Sequence, residues 1–451
     1  MLSQPSVSPV TSLSTPSQEA PITRCRVCGN ETLIPILDLG AHCLTGRFPR
    51  ADEADPQAGP LALMLCNGSK GACGTLQLAH DYDQGEMFGD RYGYRSAVTD
   101  TMRNHLAGKV KALVERVQPK PGDAILDIGC NDGTLLRCYD GLGLRRFGMD
   151  PSSGPFVDAM PSDVTLVVDF FSADRLRPLL NGAKLSIVTS IAMFYDLPDP
   201  VGFMREVKAI LADDGVWEME QSYMPLMLSE LTYDTICHEH LTYYGLTQIA
   251  WMAERAGLRI IDASTNDVNG GSFRVQLTPA EGPRQPTAES AAAIAVLLNG
   301  EQVAGMNTAA PYLAFAQRIV HHRQVISEFF AKAKAEGKTV LGCGASTKGN
   351  VVIQYAGLTA ADMPAIIERY SQKVGLRTPG SGIPIISEEE GRARRPDYMV
   401  VFPWHFRDEI IRREQAFLEA GGRLVFPLPR FEVVGAGGRV ELSVKLGEPK
   451  V

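Results

Sequence analysis

A glycine-containing turn after an apolar run constrains this chain more than any other feature of its sequence. Residues 124–136 read AILDIGCNDGTLL, which predicts a buried strand, a tight turn and the start of a helix. Gly129 and Gly133 carry no Cβ, so a ligand can approach the backbone closely at this turn. Their Gly-x3-Gly spacing differs from the Gly-x-Gly-x2-Gly pattern of a pyrophosphate-binding loop. The segment therefore predicts a ligand site and disfavours a dinucleotide as the ligand.

Acidic side chains at successive strand ends indicate the chemistry of that ligand. Asp127 places a negative charge beside the turn, which repels a pyrophosphate and attracts the ammonium group of a methionine moiety. Asp150, in RRFGMDPS, ends the next predicted strand 17 residues after Gly133, and an acid there can accept both hydroxyls of a ribose. Asp169 and Phe170, in VVDFF, end the following strand and are expected to hold the edge and face of an adenine.

This ordered set of residues resembles the class I methyltransferases, which use S-adenosylmethionine as the methyl donor. The residues predicted to bind the donor are Asp127, Gly129, Asn131, Asp132, Gly133, Asp150, Pro151, Asp169 and Phe170. The alternatives are an NAD-binding Rossmann domain and a domain that keeps the fold without binding a ligand.

Strand-like and helix-like segments alternate in both halves of the chain, which predicts an α/β fold with parallel sheets covered by helices. We expect a class I methyltransferase domain, built on a doubly wound Rossmann-like sheet, and a second Rossmann-like α/β domain after it. The expected divisions are a disordered tail (1–22), a small cysteine-containing module (23–77), the donor-binding domain (78–280), a linker (281–310) and the C-terminal domain (311–451).

The cysteines predict a metal site in the small module. Nine cysteines, an odd number, fit a disulfide framework poorly. Cys25-x2-Cys28 and Cys66-x6-Cys73 can supply four thiolates to one tetrahedral Zn²⁺ ion. A structural zinc suits so small a module, because the module has little core of its own. The alternatives are a set of buried thiols without metal, or a site in which His42 or Cys43 replaces one ligand.

The overall composition argues against several kinds of partner. The net charge of −8 disfavours a nucleic-acid-binding surface, and no apolar run is long enough to span a membrane. Residues 1–20 lack the basic start and apolar core of a secretory signal, and their Ser, Thr and Pro content predicts disorder. We expect a cytoplasmic protein that is a monomer or a small homo-oligomer.

A cluster of titratable side chains follows a predicted strand in YDTICHEHLTYY, residues 233–244. Loops after the strand ends of a doubly wound sheet face the ligand crevice, so His238, Glu239 and His240 are expected beside the donor. A histidine can act as a base near neutral pH, and an adjacent acid can orient it. The alternative is a hydrogen-bonded cluster that only supports the loop.

The order of these features resembles the sugar C-methyltransferases of deoxysugar biosynthesis, such as the tetronitrose and mycarose 3-C-methyltransferases. The resemblance covers about residues 24–429 and depends on Cys-x2-Cys, the donor turn, HEH, GGSFR, GASTKGN and VFPWHF. It implies that a nucleotide-linked 4-keto sugar binds between the middle and C-terminal domains. It also implies that His240 removes the proton at C3 with help from Glu239 and Tyr94, and that the resulting enolate attacks the donor methyl group. His238 completes the predicted catalytic set.

The C-terminal half is expected to hold the substrate. The loop GCGASTKGN, residues 342–350, follows a predicted strand and opens a helix, so its amides and its lysine suit a phosphate. The predicted substrate-binding residues are Lys348, Asn350, Lys373, Arg377 and Trp404. A loop whose glycines serve packing alone is the alternative.

Three positions depart from the family pattern. Cys237 stands where a tyrosine is expected, and Tyr195 and Asn269 stand where histidines are expected. The sequence therefore does not determine which sugar or which acceptor atom is methylated. The main hypothesis is C-methylation of a nucleotide-linked keto-deoxysugar. The alternatives are O- or N-methylation of a sugar or natural product, and a noncatalytic scaffold that binds zinc and a nucleotide sugar.

Overall fold

The structure is a computed structural model that describes residues 20–88 and 95–444. In chain order the strands are β1 (Leu33–Cys43), β2 (Ala58–Cys66), β3 (Leu76–Leu78), β4 (Ala124–Ile128), β5 (Arg145–Met149), β6 (Val164–Val167), β7 (Leu185–Ile191), β8 (Leu211–Ser222), β9 (Thr242–Tyr243), β10 (Leu258–Asn266), β11 (Ser272–Pro279), β12 (Val340–Cys343), β13 (Ile366–Glu368), β14 (Ile385–Ser387), β15 (Tyr398–Val401), β16 (Arg423–Phe426), β17 (Phe431–Val434) and β18 (Val440–Val444).

The α-helices are α1 (Gln84–Met87), α2 (Asp100–Val117), α3 (Thr134–Arg137), α4 (Ala173–Leu180), α5 (Pro200–Ile210), α6 (Met224–Glu230), α7 (Leu246–Ala256), α8 (Ala288–Val303), α9 (Ala310–Ala335), α10 (Thr347–Ala356), α11 (Glu388–Ala393), α12 (Arg407–Arg413) and α13 (Gln415–Glu419). Short 3-10 turns, among them Tyr233–Thr235 and Trp404–Phe406, connect these elements. Within the described ranges, no helix is both long enough and apolar enough to cross a membrane.

The N-terminal module is a four-stranded antiparallel sheet in the order β1-β2-β3-β9. β1 and β2 form a long hairpin. The fourth strand, β9, comes from a distant part of the chain and pairs Tyr243 with Leu76. The module is therefore completed by the segment that follows HEH, a pairing that the expected boundary at residue 77 does not include.

The two predicted cysteine pairs converge on one point of this module. The Sγ atoms of Cys25 and Cys73 are 3.4 Å apart. Those of Cys28 and Cys66 are 3.6 Å apart, and all four lie within 4.8 Å of one another. A tetrahedral Zn²⁺ site with Zn–S bonds of about 2.3 Å has sulfur–sulfur edges of about 3.8 Å. The Thr75 hydroxyl also donates to Cys73 Sγ, so the four sulfurs fit a closed structural zinc site.

The middle sheet has seven strands in the order β10-β11-β8-β7-β4-β5-β6. The strands β4 to β8 are parallel, and β11 runs antiparallel between β8 and β10. β4 is buried over its whole length, and it occupies the apolar run that is predicted to be a buried strand. Apolar side chains of α2 and α3 cover one face, and those of α4, α5 and α7 cover the other. The sheet is therefore doubly wound.

The strand order reverses beside β4, because β5 and β6 lie on one side of it and β7 and β8 on the other. Ligand crevices in such sheets open outside the carboxyl ends of the strands at the point of reversal. The turn at 129–133 and the loop at 192–197, which follow β4 and β7, meet at this point. The glycine turn thus lies where this fold places its ligands.

The C-terminal half forms a second seven-stranded sheet, in the order β14-β13-β12-β15-β16-β17-β18. Its parallel strands β12 to β16 repeat the order of the parallel strands in the middle sheet. The last two strands differ, because β17 and β18 extend the sheet as an antiparallel hairpin. The chain thus contains two α/β sheets of similar layout, and the predicted fold class is confirmed.

The segment expected to be a linker, 281–310, contains the helix α8, which packs on β10 and α7. The carboxylate of Glu301 on this helix accepts hydrogen bonds from the Tyr223 hydroxyl and the Leu246 amide. The prolines that indicated a linker end at residue 286, and the alanines that follow favour a helix. The segment is therefore a covering helix of the middle domain.

Cys66→Ser is expected to remove the zinc and to destabilise the N-terminal module. Structural zinc binds small domains with about 10–16 kcal/mol of free energy, and that binding is coupled to folding. Elemental analysis should find one zinc ion per wild-type chain and much less in the variant, and thermal unfolding of the variant should begin at a lower temperature.

Cys43→Ser is the matched control for this experiment. Cys43 and His42, the alternative ligands, lie outside the cluster of four sulfurs, so this variant should keep its zinc. Full zinc content in the Cys66 variant would contradict the site.

Candidate functional site

The turn after β4 is held by left-handed backbone and by side chains of neighbouring loops. Gly129 and Gly133 have φ angles of 76° and 74°, which favour glycine. A Cβ on Gly129 would lie 3.2 Å from Met193 Cγ, and one on Gly133 would lie 2.3 Å from Met160 Sδ. Both glycines are therefore required by backbone conformation and by close packing.

Asp127, at the end of β4, is a buried carboxylate that forms no ion pair within the described ranges. The hydroxyl of Thr189 on β7 donates to its Oδ1 at 2.6 Å. Burial raises the pKa of the Asp127 carboxyl to about 7; the Thr189 hydrogen bond opposes this shift and the charge of Asp150 adds to it. An ammonium group beside Asp127 would supply the missing positive charge, so the site fits a cationic ligand.

Hydrogen bonds tie Asp150 to the turn. The amide of Asn131 donates to Asp150 Oδ2 at 2.8 Å, and the amide of Ser152 donates to Oδ1 at 2.6 Å. Each carboxylate oxygen has a further lone pair that a ligand hydroxyl can use. Asp132 is buried behind the turn and accepts a hydrogen bond from the Ala97 amide at 3.1 Å. Asp132 thereby joins the turn to the segment before α2.

The residues expected to hold an adenine follow β6 at the surface. Asp169 pairs with Arg175 and accepts a hydrogen bond from the Phe170 amide. The Phe170 side chain is 40% exposed, so its ring is accessible to a ligand. Pro151 is half-buried and begins the 3-10 helix after β5.

One ring nitrogen of His240 is fixed by the backbone. Its Nδ1 lies 2.7 Å from the carbonyl oxygen of Thr235. A carbonyl can only accept, so Nδ1 carries the proton and Nε2 is the unprotonated nitrogen. Burial, with the positive charge of Lys348, lowers the pKa of His240 to about 3. The imidazole is therefore neutral at physiological pH.

The loop after β7 joins His240 to the glycine turn. Met193 packs on Gly129, and Tyr195 packs on the His240 ring with the two centroids 4.1 Å apart. The hydroxyl of Thr242, which follows HEH in the chain, donates to the Tyr195 carbonyl at 3.1 Å. This loop thus connects His240 to the glycine turn, at the carboxyl ends of the strands, where the ligand crevice of such a sheet opens.

His238 points away from that crevice. It is fully buried, its Nε2 lies 3.3 Å from the Gly59 carbonyl oxygen, and its ring meets Tyr82 edge-on. This position differs from the one expected beside His240, because the N-terminal module packs on this side of the loop. Tyr94 lies outside the described residues.

A segment of the N-terminal module, residues 43–49, reaches between the two larger domains. Glu239 is buried beside it, and a Cβ on Gly46 would lie 2.6 Å from Glu239 Oε1. Burial raises the pKa of the Glu239 carboxyl. Asn350, on α10, donates to the Thr45 carbonyl at 2.7 Å, while its Oδ1 is buried without a partner in the described chain. The module is therefore a third wall of the site.

Lys348 is a cation whose charge acts on His240 in this arrangement. It lies in the first turn of α10, and its Nζ donates to the carbonyl of Asn269 at 2.9 Å. An ammonium group has three N–H donors, so two remain for an anion. Burial lowers the pKa of His405 to about 3, and the charge of Lys348 adds to this effect. One cation and two neutral imidazoles therefore share this side of the crevice.

Two of the expected substrate-binding residues have partners within the protein. Arg377 pairs with Asp55 at 2.5 Å, which joins the C-terminal domain to the loop between β1 and β2. Lys373 donates to the Ala345 carbonyl at 2.9 Å and lies over the ring of Phe48. Arg377 is expected to hold a diphosphate because it is a cation near Pro379-Gly380, and the sequence gives no sign that Asp55 is its neighbour in the fold.

Trp404 links the C-terminal domain to the middle domain. Its Nε1 donates to Asp234 Oδ2 at 2.8 Å. A Cβ on Gly270 would lie 2.5 Å from its ring. The indole is buried, so its contacts are with protein rather than solvent.

Other polar groups at the crevice were not indicated by the sequence. Asp196 Oδ1 and both side-chain heteroatoms of Gln221 are buried without a hydrogen-bond partner in the described chain. Burial raises the pKa of Asp196 well above its usual range. Such groups are rare in native proteins. Asp196 follows β7 and Gln221 lies near the end of β8. Their positions at the ends of predicted strands could have identified them in the sequence.

Three family models match consecutive parts of the chain. A zinc binding domain matches residues 25–88, a methyltransferase domain matches residues 102–263, and a C-methyltransferase C-terminal domain matches residues 267–429.

Known proteins match the chain to different extents. The C-methyltransferase NovU of Streptomyces niveus is 32% identical over 420 residues, which are 92% of this chain and 98% of NovU. A ubiquinone biosynthesis O-methyltransferase of Haemophilus ducreyi is 28% identical over 102 residues, which are 21% of this chain and 43% of that protein. The solved magnesium protoporphyrin IX methyltransferase of Synechocystis is 14% identical, with a TM-score of 0.32. The match covers 41% of this chain and 89% of that protein, and it is too distant to support an inference.

The match to NovU extends over the zinc module and both α/β domains, whereas the O-methyltransferase match is confined to a fifth of the chain. This chain therefore belongs to the family of C-methyltransferases that includes NovU, and it is an S-adenosylmethionine-dependent methyltransferase with a structural zinc site.

Proposed function

We propose that the chain methylates C3 of a nucleotide-linked 4-keto-deoxysugar through an enolate. The observation that carries this proposal is the imidazole of His240, whose Nδ1 is held by the Thr235 carbonyl so that Nε2 is unprotonated, together with the positive charge of Lys348 that acts on this imidazole. Methylation of a carbon beside a ketone needs a base for the C–H proton and a cation or donor for the enolate oxygen. The two residues supply both functions in one crevice.

The proposed step begins with proton transfer from C3 to His240 Nε2. The electron pair of the C–H bond forms the C3–C4 double bond, and the carbonyl π pair moves to the C4 oxygen, beside Lys348. The enolate carbon then bonds to the methyl group as the C–S bond breaks, and that electron pair stays on sulfur. S-adenosylmethionine supplies the electrophilic methyl group, and the proton on His240 passes to solvent.

The three domains divide the binding work in this proposal. The middle domain holds the donor, with Asp127 facing its ammonium group, Asp150 its ribose and Phe170 its adenine. The sugar nucleotide lies between this domain and the C-terminal domain, residues 311–451. The buried, unpartnered groups of Asp196, Gln221 and Asn350 support this placement, because polar atoms of a ligand would satisfy them.

His240→Asn is expected to slow exchange of the C3 proton by about 10²–10⁴-fold, the usual contribution of a general base. Wild-type and variant enzymes are incubated in D₂O with S-adenosylhomocysteine and a nucleoside-diphosphate-linked 4-keto-dideoxyhexose, and loss of the C3 proton is followed by NMR. Affinity for the donor should change little, because His240 is not among the proposed donor ligands.

His321→Asn, at an exposed histidine of α9, is the control and should exchange at the wild-type rate. Equal exchange by the His240 variant would contradict the base. Methyl transfer to an oxygen or nitrogen acceptor, with none to any keto-sugar nucleotide, would contradict the substrate class.

Affinity for S-adenosylmethionine is expected to rise with pH up to about 7 and then to level off. The pKa of the Asp127 carboxyl is raised to about 7, so below that pH the carboxyl must lose a proton before it pairs with an ammonium group. Affinity should then fall about tenfold for each pH unit below 7. Calorimetry in buffers of different ionisation heat measures both the affinity and the protons released.

Asp127→Asn is expected to bind the donor at least about tenfold more weakly and without this pH dependence. Asp174→Asn, an exposed carboxylate of α4, should retain the wild-type profile. If the affinity of the Asp127 variant still depends on pH in the same way, the titrating group is not Asp127.

A further inference from the structure

The 3-10 turn Tyr233–Thr235, the clamp turn, lies between the middle and C-terminal domains. Its three residues are 0%, 1% and 2% exposed. The Ile236 amide donates to the Tyr233 carbonyl at 2.9 Å and closes this short turn. Its side chains add contacts with residues outside the turn. Each residue of the clamp turn makes a different contact, and these contacts come from both domains.

Tyr233 is held from the C-terminal side by His322. The Tyr233 hydroxyl lies 3.1 Å from His322 Nδ1, and His322 Nε2 lies 2.7 Å from the carbonyl oxygen of Pro427. That carbonyl can only accept, so Nε2 donates to it and Nδ1 accepts the proton of the Tyr233 hydroxyl. His322 belongs to α9 and Pro427 follows β16, so the first anchor of the clamp turn is a part of the C-terminal half.

Asp234 is held from the same half by Trp404. The indole Nε1 donates to Asp234 Oδ2 at 2.8 Å, and both side chains are buried. A buried carboxylate that loses its donor is costly, so this bond strongly favours one position of the turn. Trp404 follows β15, and α10 packs on the clamp turn beside it.

Thr235 transmits this geometry to His240. Its carbonyl oxygen accepts the Nδ1 proton of His240 at 2.7 Å, and its hydroxyl lies 3.2 Å from the same nitrogen. If the carbonyl moved away, the imidazole would be free to take the other tautomer, with the proton on Nε2. That tautomer cannot accept a proton at the nitrogen proposed as the base.

We propose that the C-terminal domain clamps the turn Tyr233–Thr235 through His322 and Trp404 and thereby holds His240 in the tautomer that leaves Nε2 unprotonated. The catalytic consequence depends on the function proposed above for His240. Tyr233, Asp234, His322 and Trp404 are positioning residues in this scheme, because they act on the imidazole through Thr235. The C-terminal domain then sets the protonation of the base as well as enclosing the substrate.

Trp404→Phe and Tyr233→Phe test the clamp, because each keeps an aromatic ring and loses one hydrogen-bond donor. Tyr233→Phe changes the side-chain volume little, whereas Trp404→Phe also makes the ring system smaller. The first measurement is the ¹⁵N spectrum of histidine-labelled, ligand-free enzyme, in which ring nitrogen shifts report the tautomer and a His240→Asn spectrum assigns the signal. Wild-type enzyme should show protonated Nδ1 and unprotonated Nε2 at His240. Each variant should show a mixture of the two tautomers.

The second measurement is steady-state methyl transfer. Each variant should lose about tenfold in kcat, which corresponds to one hydrogen bond, with less than about a twofold change in KM. Asp234→Asn keeps an oxygen for the indole N–H and should retain the wild-type tautomer, whereas Asp234→Ala should not.

Two variants control for the loss of a similar donor elsewhere. Trp251 donates to the Gly71 carbonyl at 3.1 Å, and Tyr312 donates to the Met306 carbonyl at 2.9 Å. Within the described ranges, neither side chain forms a hydrogen bond with the clamp turn. Trp251→Phe and Tyr312→Phe should leave the His240 tautomer and kcat unchanged.

An unchanged tautomer in both Trp404→Phe and Tyr233→Phe would overturn the proposal, even if kcat fell, since Trp404 would then act in another way. The spectra need no substrate. If the wild-type enzyme methylates no keto-sugar nucleotide, the proposed function fails, while the tautomer comparison still decides whether the clamp exists.

Discussion

The carboxyl ends of parallel strands meet at one edge of a sheet, because all strands of the set run in the same direction. In the middle sheet, that edge brings together the turn after β4, the loop after β7 and the end of β8. Met193 and Tyr195, two residues apart, reach the glycine turn and His240 respectively. The donor turn and the proposed base, which are far apart in the chain, share a crevice for this reason.

Local patterns in the sequence were sufficient for the elements of this edge. The predicted buried strand is present at 124–128, because its apolar residues are buried on both faces. The two cysteine pairs meet as their spacing indicates. The alternation of strands and helices predicted both α/β sheets. Whether a segment has the apolar periodicity of a helix or of a strand can be read from that segment alone.

Partners that are distant in the chain were not predictable in this way. Thr189 donates to Asp127 because the two residues are paired in the register of β4 and β7. Arg377 meets Asp55 because the N-terminal module packs on the C-terminal domain. His238 and His240 are two residues apart, yet different domains cover them. Such contacts depend on how finished elements pack, and no short segment of the sequence records that packing.

The strand β9 has a consequence for the order in which the chain assembles. The four cysteines all precede β3, so a growing chain can capture its metal ion early. The outer edge of β3 nevertheless stays unpaired until Thr242–Tyr243 has been synthesised, and an open edge is prone to pair with other strands. The strands β4 to β8 precede β9 in the chain, so they have already been synthesised when this pairing becomes possible. The metal module and the donor-binding domain therefore complete their folding together, and a fragment that ends before β9 would carry the metal on an unfinished sheet.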